Sequence, residues 1–204
     1  MADTQLTPDG FFWMRDDVLS PEFCETLIAK FEACPDKGPG QTLSGYNPDS
    51  KSTTDLMLSG RADFAEEDHT LYLSLTLNVR DYMAQLKHRP WKGPFGDTGY
   101  NMQRTLPGEY FNWHTDFFAD PWANTLRVFT FIWYLNDVQG PGGYTEFCNG
   151  VRVEPKQGRI VFFPSDFANM HRGVSPETET KYIVTGWFHQ PINPGFTPPQ
   201  NKLN

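Results

Sequence analysis

The sequence is poor in the features that would assign it to several common classes. Its three cysteines, Cys24, Cys34 and Cys148, are too few and too irregularly spaced for a disulfide framework or a thiolate zinc site, so they read as ordinary thiols. No run of about eighteen apolar residues offers a transmembrane helix, and the opening MADTQLTPDG lacks the basic and apolar blocks of a secretory signal. Positive charge is also scarce. With 17 Lys and Arg against 25 Asp and Glu, the formal charge is −8 and the pI about 5.0. That balance disfavours a broad phosphate-binding surface and leaves only a local basic groove open to DNA or RNA. There is no internal repeat and no low-complexity tract. The expectation is a cytoplasmic protein without a membrane segment.

What the chain has in plenty is flat side chains and turn formers. Aromatics make up 15% of its 204 residues, with 17 Phe, 6 Trp and 8 Tyr, and there are 17 Gly and 17 Pro. Such a supply suits a sheet-rich core broken by frequent turns better than a helical bundle. The length suits a single domain, 1–204, with N-terminal helical support over about 18–90 and a β core over about 99–190.

The order Ser20-Pro21-Glu22 is that of a helix start: a capping hydroxyl, a proline whose missing N–H costs nothing in the first turn, then an acid near the positive end. Phe23, Leu27, Ile28 and Phe31 follow at helical spacing, predicting a helix over about 20–33. Residues 34–60 are dense in turn formers and read as a long loop with one short strand at most. From 66 to 88, Leu71, Leu75, Leu77, Val79, Tyr82, Met83 and Leu86 predict a second helix, which PWKGPFGDTG ends.

Beyond residue 99 the period shortens. Segments 100–106, 109–117, 126–135, 143–147, 151–153, 159–163 and 181–189 are aromatic or β-branched and separated by Gly, Pro, Asn or Asp. The series predicts a mainly β fold, a sandwich or barrel-like double sheet, with the helices packed outside one sheet.

Within YFNWHTDFF, His114 and Asp116 stand two apart, so on a strand both side chains face one side. His171, in FPSDFANMHRGVSP, is a third candidate, 55 residues after Asp116. Two imidazoles and one carboxylate can form a facial triad that leaves positions open on a metal, the arrangement of non-haem Fe(II) oxygenases. Spacing alone fits equally a hydrogen-bonded core histidine, a turn aspartate and a loop histidine. Lys181 adds weight. It opens an aromatic strand and shares a face with Ile183, Thr185 and Trp187; buried there, its ammonium needs an anion, for which a carboxylate-bearing ligand is the natural partner. The plainer reading is an exposed lysine at a strand start.

The pieces LPGEYFNWHTDF, RVFTFIWYLND, GGYTEF, VEPKQGRIVFFPSD, MHRGVSP and KYIVTGWFHQ resemble, in order, the prolyl 4-hydroxylase-like group of 2-oxoglutarate- and Fe(II)-dependent dioxygenases. They cover about residues 100–190, and LSPEFCETLI and KSTTDLML resemble the helix and early strand that precede that core. The resemblance implies a double-stranded β-helix, a jelly-roll, with iron held by His114, Asp116 and His171. It implies that Lys181 pairs with the distal carboxylate of 2-oxoglutarate, that Tyr134 donates its hydroxyl to the same group, and that Thr185 lines the pocket. Two positions depart from the pattern: Thr105 and Phe111 stand where many relatives have tyrosine, and Tyr110 could replace a lost hydroxyl only if a bulge changed the facing. Gly142 and Gly143 allow a tight turn and close packing near the metal, or are a plain hairpin turn. Arg127, Trp113 and Trp187 are candidates for the substrate mouth, as is Trp133; a surface arginine and core aromatics are the other readings. His69, His88 and His189 read as structural or exposed, and Asp120, Asp137 and Asp166 as turn carboxylates.

The activity implied is oxidative decarboxylation of 2-oxoglutarate to succinate and CO2, coupled to O2-dependent hydroxylation of an unactivated C–H, with ascorbate as a candidate reductant. The resemblance favours a prolyl residue in a peptide or protein as substrate, partly covered by the 34–60 loop. A free amino acid or another small molecule is the alternative, and a jelly-roll that binds without turnover is the reading from a different class.

Overall fold

The computed structural model describes residues 3–5, 7, 10–86 and 95–192. Strands β1 (Asp3–Gln5) and β2 (Trp13–Arg15) precede helix α1 (Pro21–Ala33), and β3 (Gly38–Pro39), β4 (Lys51–Ser52) and β5 (Thr54–Met57) lead to helix α2 (Ala65–Gln85). Then come β6 (Gly96–Asp97), β7 (Asn101–Thr105), β8 (Tyr110–His114), β9 (Ala119–Asp120) and β10 (Thr125–Tyr134). The chain continues through β11 (Thr145–Phe147), β12 (Arg152–Val153), β13 (Arg159–Pro164), β14 (His171–Gly173) and β15 (Lys181–Pro191).

Two sheets face each other. The major one runs β1-β2-β13-β10-β15-β7-β5-β3, with β6 beside β15 and β9 beside β10; the minor one runs β12-β11-β14-β8-β4. Side-chain alternation on the long central strands divides the core. Phe129, Phe131 and Trp133 of β10, with Ile160, Phe162, Val184 and Phe188, pack under the helices against Leu27, Phe31, Leu71, Leu75 and Tyr82. The intervening Ile132, Tyr134, Val161 and Phe163 face the minor sheet and meet Phe12, Phe147 and Val153. One sheet thus serves a helix layer on one face and a sheet-lined interior on the other.

Helix α1 starts as expected, the Ser20 hydroxyl accepting from the Phe23 N–H at 3.2 Å. Helix α2 buries Leu71, Leu75 and Tyr82 and draws in Val79 and Met83 at the edge of the same stripe, but Leu77 points to solvent with 54% exposure, because a 3.6-residue repeat carries it to the opposite face. Residues 87 and 88 of the expected helix, with His88, lie outside the described residues. No helix among the described residues is long and apolar enough to cross a membrane.

Other expectations need correction. Residues 34–60 hold three short strands rather than one, and two of them sit in different sheets. The 109–117 segment is a strand only as far as His114. His171, read as part of a connection, opens a strand of its own; three residues are too few for a repeat to register in sequence. Gly142 has φ 79°, and a Cβ there would fall 1.9 Å from the Ser175 carbonyl oxygen, so it serves close passage of the chain against residues 175 and 176.

Phe162 lies stacked on Tyr82 at 5.1 Å and 8°, and tilted on Trp13 at 5.4 Å, fully buried. Phe162→Ala should cost about 3–5 kcal/mol of stability in urea unfolding; a loss under about 1 kcal/mol would mean the aromatic layer does not carry the helix–sheet contact.

Candidate metal centre and cosubstrate cavity

The pairing of β8 with β14 builds the centre. His114 and His171 are direct cross-strand partners, as are Phe111 and Gly173. Three residue steps on β8 therefore match two on β14, so β8 carries a bulge. Strict alternation would send Phe111 and His114 to opposite faces; the extra residue turns both into the interior, where their rings stack at 3.6 Å and 11°. Trp113 is thrown outward, 42% exposed and under the Arg172 guanidinium. The bulge does not bring Tyr110 inside; its hydroxyl reaches the Pro48 carbonyl at 3.5 Å.

The ligating atoms of His114, Asp116 and His171 all lie within 4.8 Å of one another. Nε2 of His114 is 3.9 Å from Asp116 Oδ1, and Nε2 of His171 is 3.5 Å from Asp116 Oδ2. Each imidazole is oriented by its other nitrogen: Nδ1 meets the Asn112 carbonyl at 2.8 Å in His114 and the Asn169 carbonyl at 3.1 Å in His171. Donation from Nδ1 leaves Nε2 as a lone-pair donor aimed at the common point, the usual second partner of a metal-bound histidine. Burial pushes the His114 pKa down to about 4, with repulsion from His171 adding to it, so the ring is neutral and ready to ligate. Asp116 is held ionised despite burial by the two imidazoles, then by the Thr130 hydroxyl, which donates to Oδ2 at 2.7 Å. The buried Trp187 indole N–H also lowers the Asp116 pKa, though without the alignment of a full hydrogen bond. Two imidazole nitrogens and one carboxylate oxygen clustered in this way fit a divalent metal with open positions.

The cavity continues inward past this cluster, walled by Thr105, Ile132, Thr145, Ile183, Thr185 and Lys181. Period two along β15 puts Lys181, Ile183, Thr185 and Trp187 on this wall together. Lys181 is 3% exposed, and no hydrogen bond or ion pair engages its ammonium among the described residues; desolvation alone pushes its pKa from 10.5 down to about 8. Tyr134 is not on the wall. Its hydroxyl exchanges a 2.8 Å hydrogen bond with Thr145 Oγ1, so it backs the residue that is. The Thr185 hydroxyl lines the cavity but donates to the Phe131 carbonyl at 2.9 Å.

Outward, the cleft widens between Gln41, Thr42, Ser44 and Asn47 on one side and Arg127 and Trp187 on the other. Arg127 stacks on Trp187 at 3.7 Å with no ion pair among the described residues. Trp133 is fully buried under the helices, its indole N–H donating to the Ser74 hydroxyl at 3.3 Å, and does not reach the cleft. His189 lies in a neighbouring pocket with Arg127 and Asp120, and His69 stacks on Tyr72 on the surface of α2. Asp120, at the end of β9, and Asp166 accept the N–H two residues on, as turn carboxylates do, whereas Asp137 accepts the distant Gln157 N–H. Sequence reasoning missed Lys51, Thr53, Gln103, Thr130 and Thr145; on β10, period two inward from Tyr134 was the available signal for Thr130.

The model of the 2OG-Fe(II) oxygenase superfamily matches residues 100–189. That stretch is a 2OG-Fe(II) oxygenase domain. The matched stretch contains His114, Asp116, His171 and Lys181, while the mouth also draws on residues 41–51 before it. Over 98 residues the chain is 31% identical to prolyl 4-hydroxylase subunit alpha-2 of Gallus gallus, a match covering 42% of this chain and 18% of that one. The chain thus spans less than a fifth of that relative. Among solved structures it is similar to a Trichoplax adhaerens prolyl hydroxylase in complex with a hypoxia inducible factor peptide fragment, at TM-score 0.69 and 19% identity over 90% of this chain and 85% of that one. It is similar also to a Pseudomonas putida prolyl-4-hydroxylase, at 0.64 and 19%, covering 88% and 93%. The viral collagen prolyl hydroxylase of Paramecium Bursaria Chlorella virus-1 gives 0.63 and 19%, covering 88% and 96%. At these identities the likeness is one of fold, the double-stranded β-helix.

His171→Ala should weaken Mn(II) binding, followed by calorimetric titration, by more than the roughly 10–100-fold that loss of a supporting partner costs. Trp113→Ala should change it less than about threefold. Equal losses in both variants would contradict the outward placement of Trp113.

Proposed function

We propose that this protein is a 2-oxoglutarate- and Fe(II)-dependent dioxygenase that hydroxylates prolyl residues in a peptide or protein. The observation that carries the reading is Lys181: a buried ammonium with no counter-charge among the described residues, on the wall of the cavity that holds two histidines and an aspartate. Such a group is costly unless an anion visits it. A dicarboxylate that reaches from the metal cluster to Lys181 answers both ends of the cavity at once.

In this reading His114, Asp116 and His171 hold Fe(II), which when bound supplies O2 activation coupled to decarboxylation of the keto acid. The balance is C–H plus O2 plus 2-oxoglutarate giving C–OH, succinate and CO2. Lys181 fixes the distal carboxylate, with Thr145, backed by Tyr134, offering a hydroxyl from the opposite sheet. Ile132, Ile183 and Trp187 keep water from the reacting carbon. Arg127 at the mouth presents free N–H donors to a substrate carbonyl or carboxylate. The hydroxyls and amides of Gln41, Thr42, Ser44 and Asn47 suit the polar backbone of an extended peptide. We further propose that the helices and β core act as one catalytic unit, with ascorbate sustaining turnover, in a reducing compartment such as the cytoplasm, where the three free cysteines stay thiols.

Lys181→Ala should raise the 2-oxoglutarate requirement for succinate formation roughly 10–100-fold, the worth of a lost charged hydrogen bond. An unchanged requirement would remove Lys181 from the site. In the empty protein Lys181 sheds its proton near pH 8 instead of 10.5. Between those values the unfolded chain binds the extra proton, so the stability of the empty protein rises with pH across that window. A bound dianion restores the proton, so affinity for the unreactive diacid N-oxalylglycine should fall about tenfold per pH unit above pH 8. A flat profile from pH 7 to 9.5 would sink the assignment.

A panel of proline-containing peptides, free proline and other free amino acids, incubated with Fe(II), 2-oxoglutarate and ascorbate, should show one added oxygen on peptide only. Oxygen on a free amino acid alone would move the reading to a small-molecule hydroxylase; succinate formation from none of them, with the diacid still bound, would favour a binding protein.

A further inference from the structure

Lys51 is a second buried cation beside the site, 3% exposed, and it has a partner: Nζ donates to Asp55 Oδ2 at 2.6 Å. Asp55 is itself held by the Thr53 hydroxyl at 2.7 Å and the Asn101 amide at 3.1 Å. Four residues of extended chain would carry two side chains well over 10 Å apart. Here they meet because the chain changes sheet between them. Lys51 lies on β4, paired with β8 of the minor sheet, and Asp55 on β5, paired with β7 of the major sheet. The ion pair therefore ties together the two walls between which the cluster sits. Gly40 makes room for the tie, since a Cβ there would fall 2.1 Å from Thr53 Oγ1 and 2.9 Å from Lys51 Cε.

The pair also reaches a metal-ligating ring. Lys51 is the cross-strand partner of Phe111, and its ammonium stands 5.0 Å from the Phe111 ring centroid. Phe111 lies flat on the His114 imidazole at 3.6 Å. The Asn112 carbonyl fixes one edge of that imidazole and Phe111 fixes its plane. We propose that the Lys51–Asp55 pair is a positioning device for His114, acting through Phe111, and so sets the affinity of the centre for its metal. This rests on the metal reading above. Two mechanisms separate the partners. Without Lys51 the phenyl ring loses the cation that anchors it. Without the Asp55 charge an uncompensated ammonium is left beside the centre and repels a divalent ion.

The test is titration of the full chain with Co(II), reading its visible absorption and dissociation constant well below the melting temperature, with thermal denaturation in parallel. Wild type should bind. Lys51→Met and Phe111→Leu should each weaken binding about tenfold, with an altered Co(II) spectrum. Asp55→Asn should weaken it further, the double variant K51M/D55N should recover part of that loss, and Lys51→Arg should stay within about threefold of wild type. Wild-type affinity and spectrum in both K51M and F111L, whatever their melting temperatures, would overturn the proposal and leave the pair a plain structural tie. If K51M does not fold, F111L decides alone, because it leaves the ion pair in place. Failure of wild type to take up Co(II) would instead overturn the metal reading, and the positioning role with it.

Discussion

A charge buried in protein must be answered, and this cavity holds an ammonium that no group among the described residues answers. The rest of the interior is arranged as though to keep that debt open. Asp116 is engaged by imidazoles and the Thr130 hydroxyl, Lys51 is closed off by Asp55, and the Thr185 hydroxyl is spent on a backbone carbonyl. The polarity of the cavity is thereby fixed before any ligand arrives: cationic at the inner end, and at the outer end a carboxylate between two imidazoles.

That arrangement is a product of strand alternation more than of loops. One face of β10 and β15 feeds the helix-covered core with Phe and Trp, and the other supplies Thr130, Ile132, Lys181, Ile183 and Trp187 to the interior. This part was legible in the sequence because period two in long strands is a strong signal, and so the sharing of one wall by Lys181, Ile183, Thr185 and Trp187 could be read directly. The residue types and order of the triad were legible too. The geometry that assembles it was not. A strand of three residues around His171 carries no pattern, and a bulge appears in sequence only as an unremarkable extra residue.

The misses share that cause. Trp113, Trp133 and Trp187 are alike as candidates for the mouth in the sequence, yet register sends one to solvent, one under the helices and one to the cleft. Tyr134 has the right chemistry for the cavity and sits one layer behind it. Lys51 went unnoticed because its neighbours looked like loop, and a four-residue separation in an extended segment gives no hint of contact. The tyrosines replaced by Thr105 and Phe111 show the reverse case. Tyrosine is what the resemblance implies there, and both positions line the cavity with the residues present.

The switch of the chain from one sheet to the other at Thr53 divides its evolutionary freedom. Lengthening or shortening the few residues from Lys51 to Asp55 would pull the two walls out of step. The stretch from Gln41 to Asn47 hangs outside that junction, bordering the cleft and held by few side-chain bonds. Insertions there would reshape what the mouth admits and leave His114, Asp116 and His171 in place, so variation among proteins of this design should be written mainly in the length and composition of that one loop.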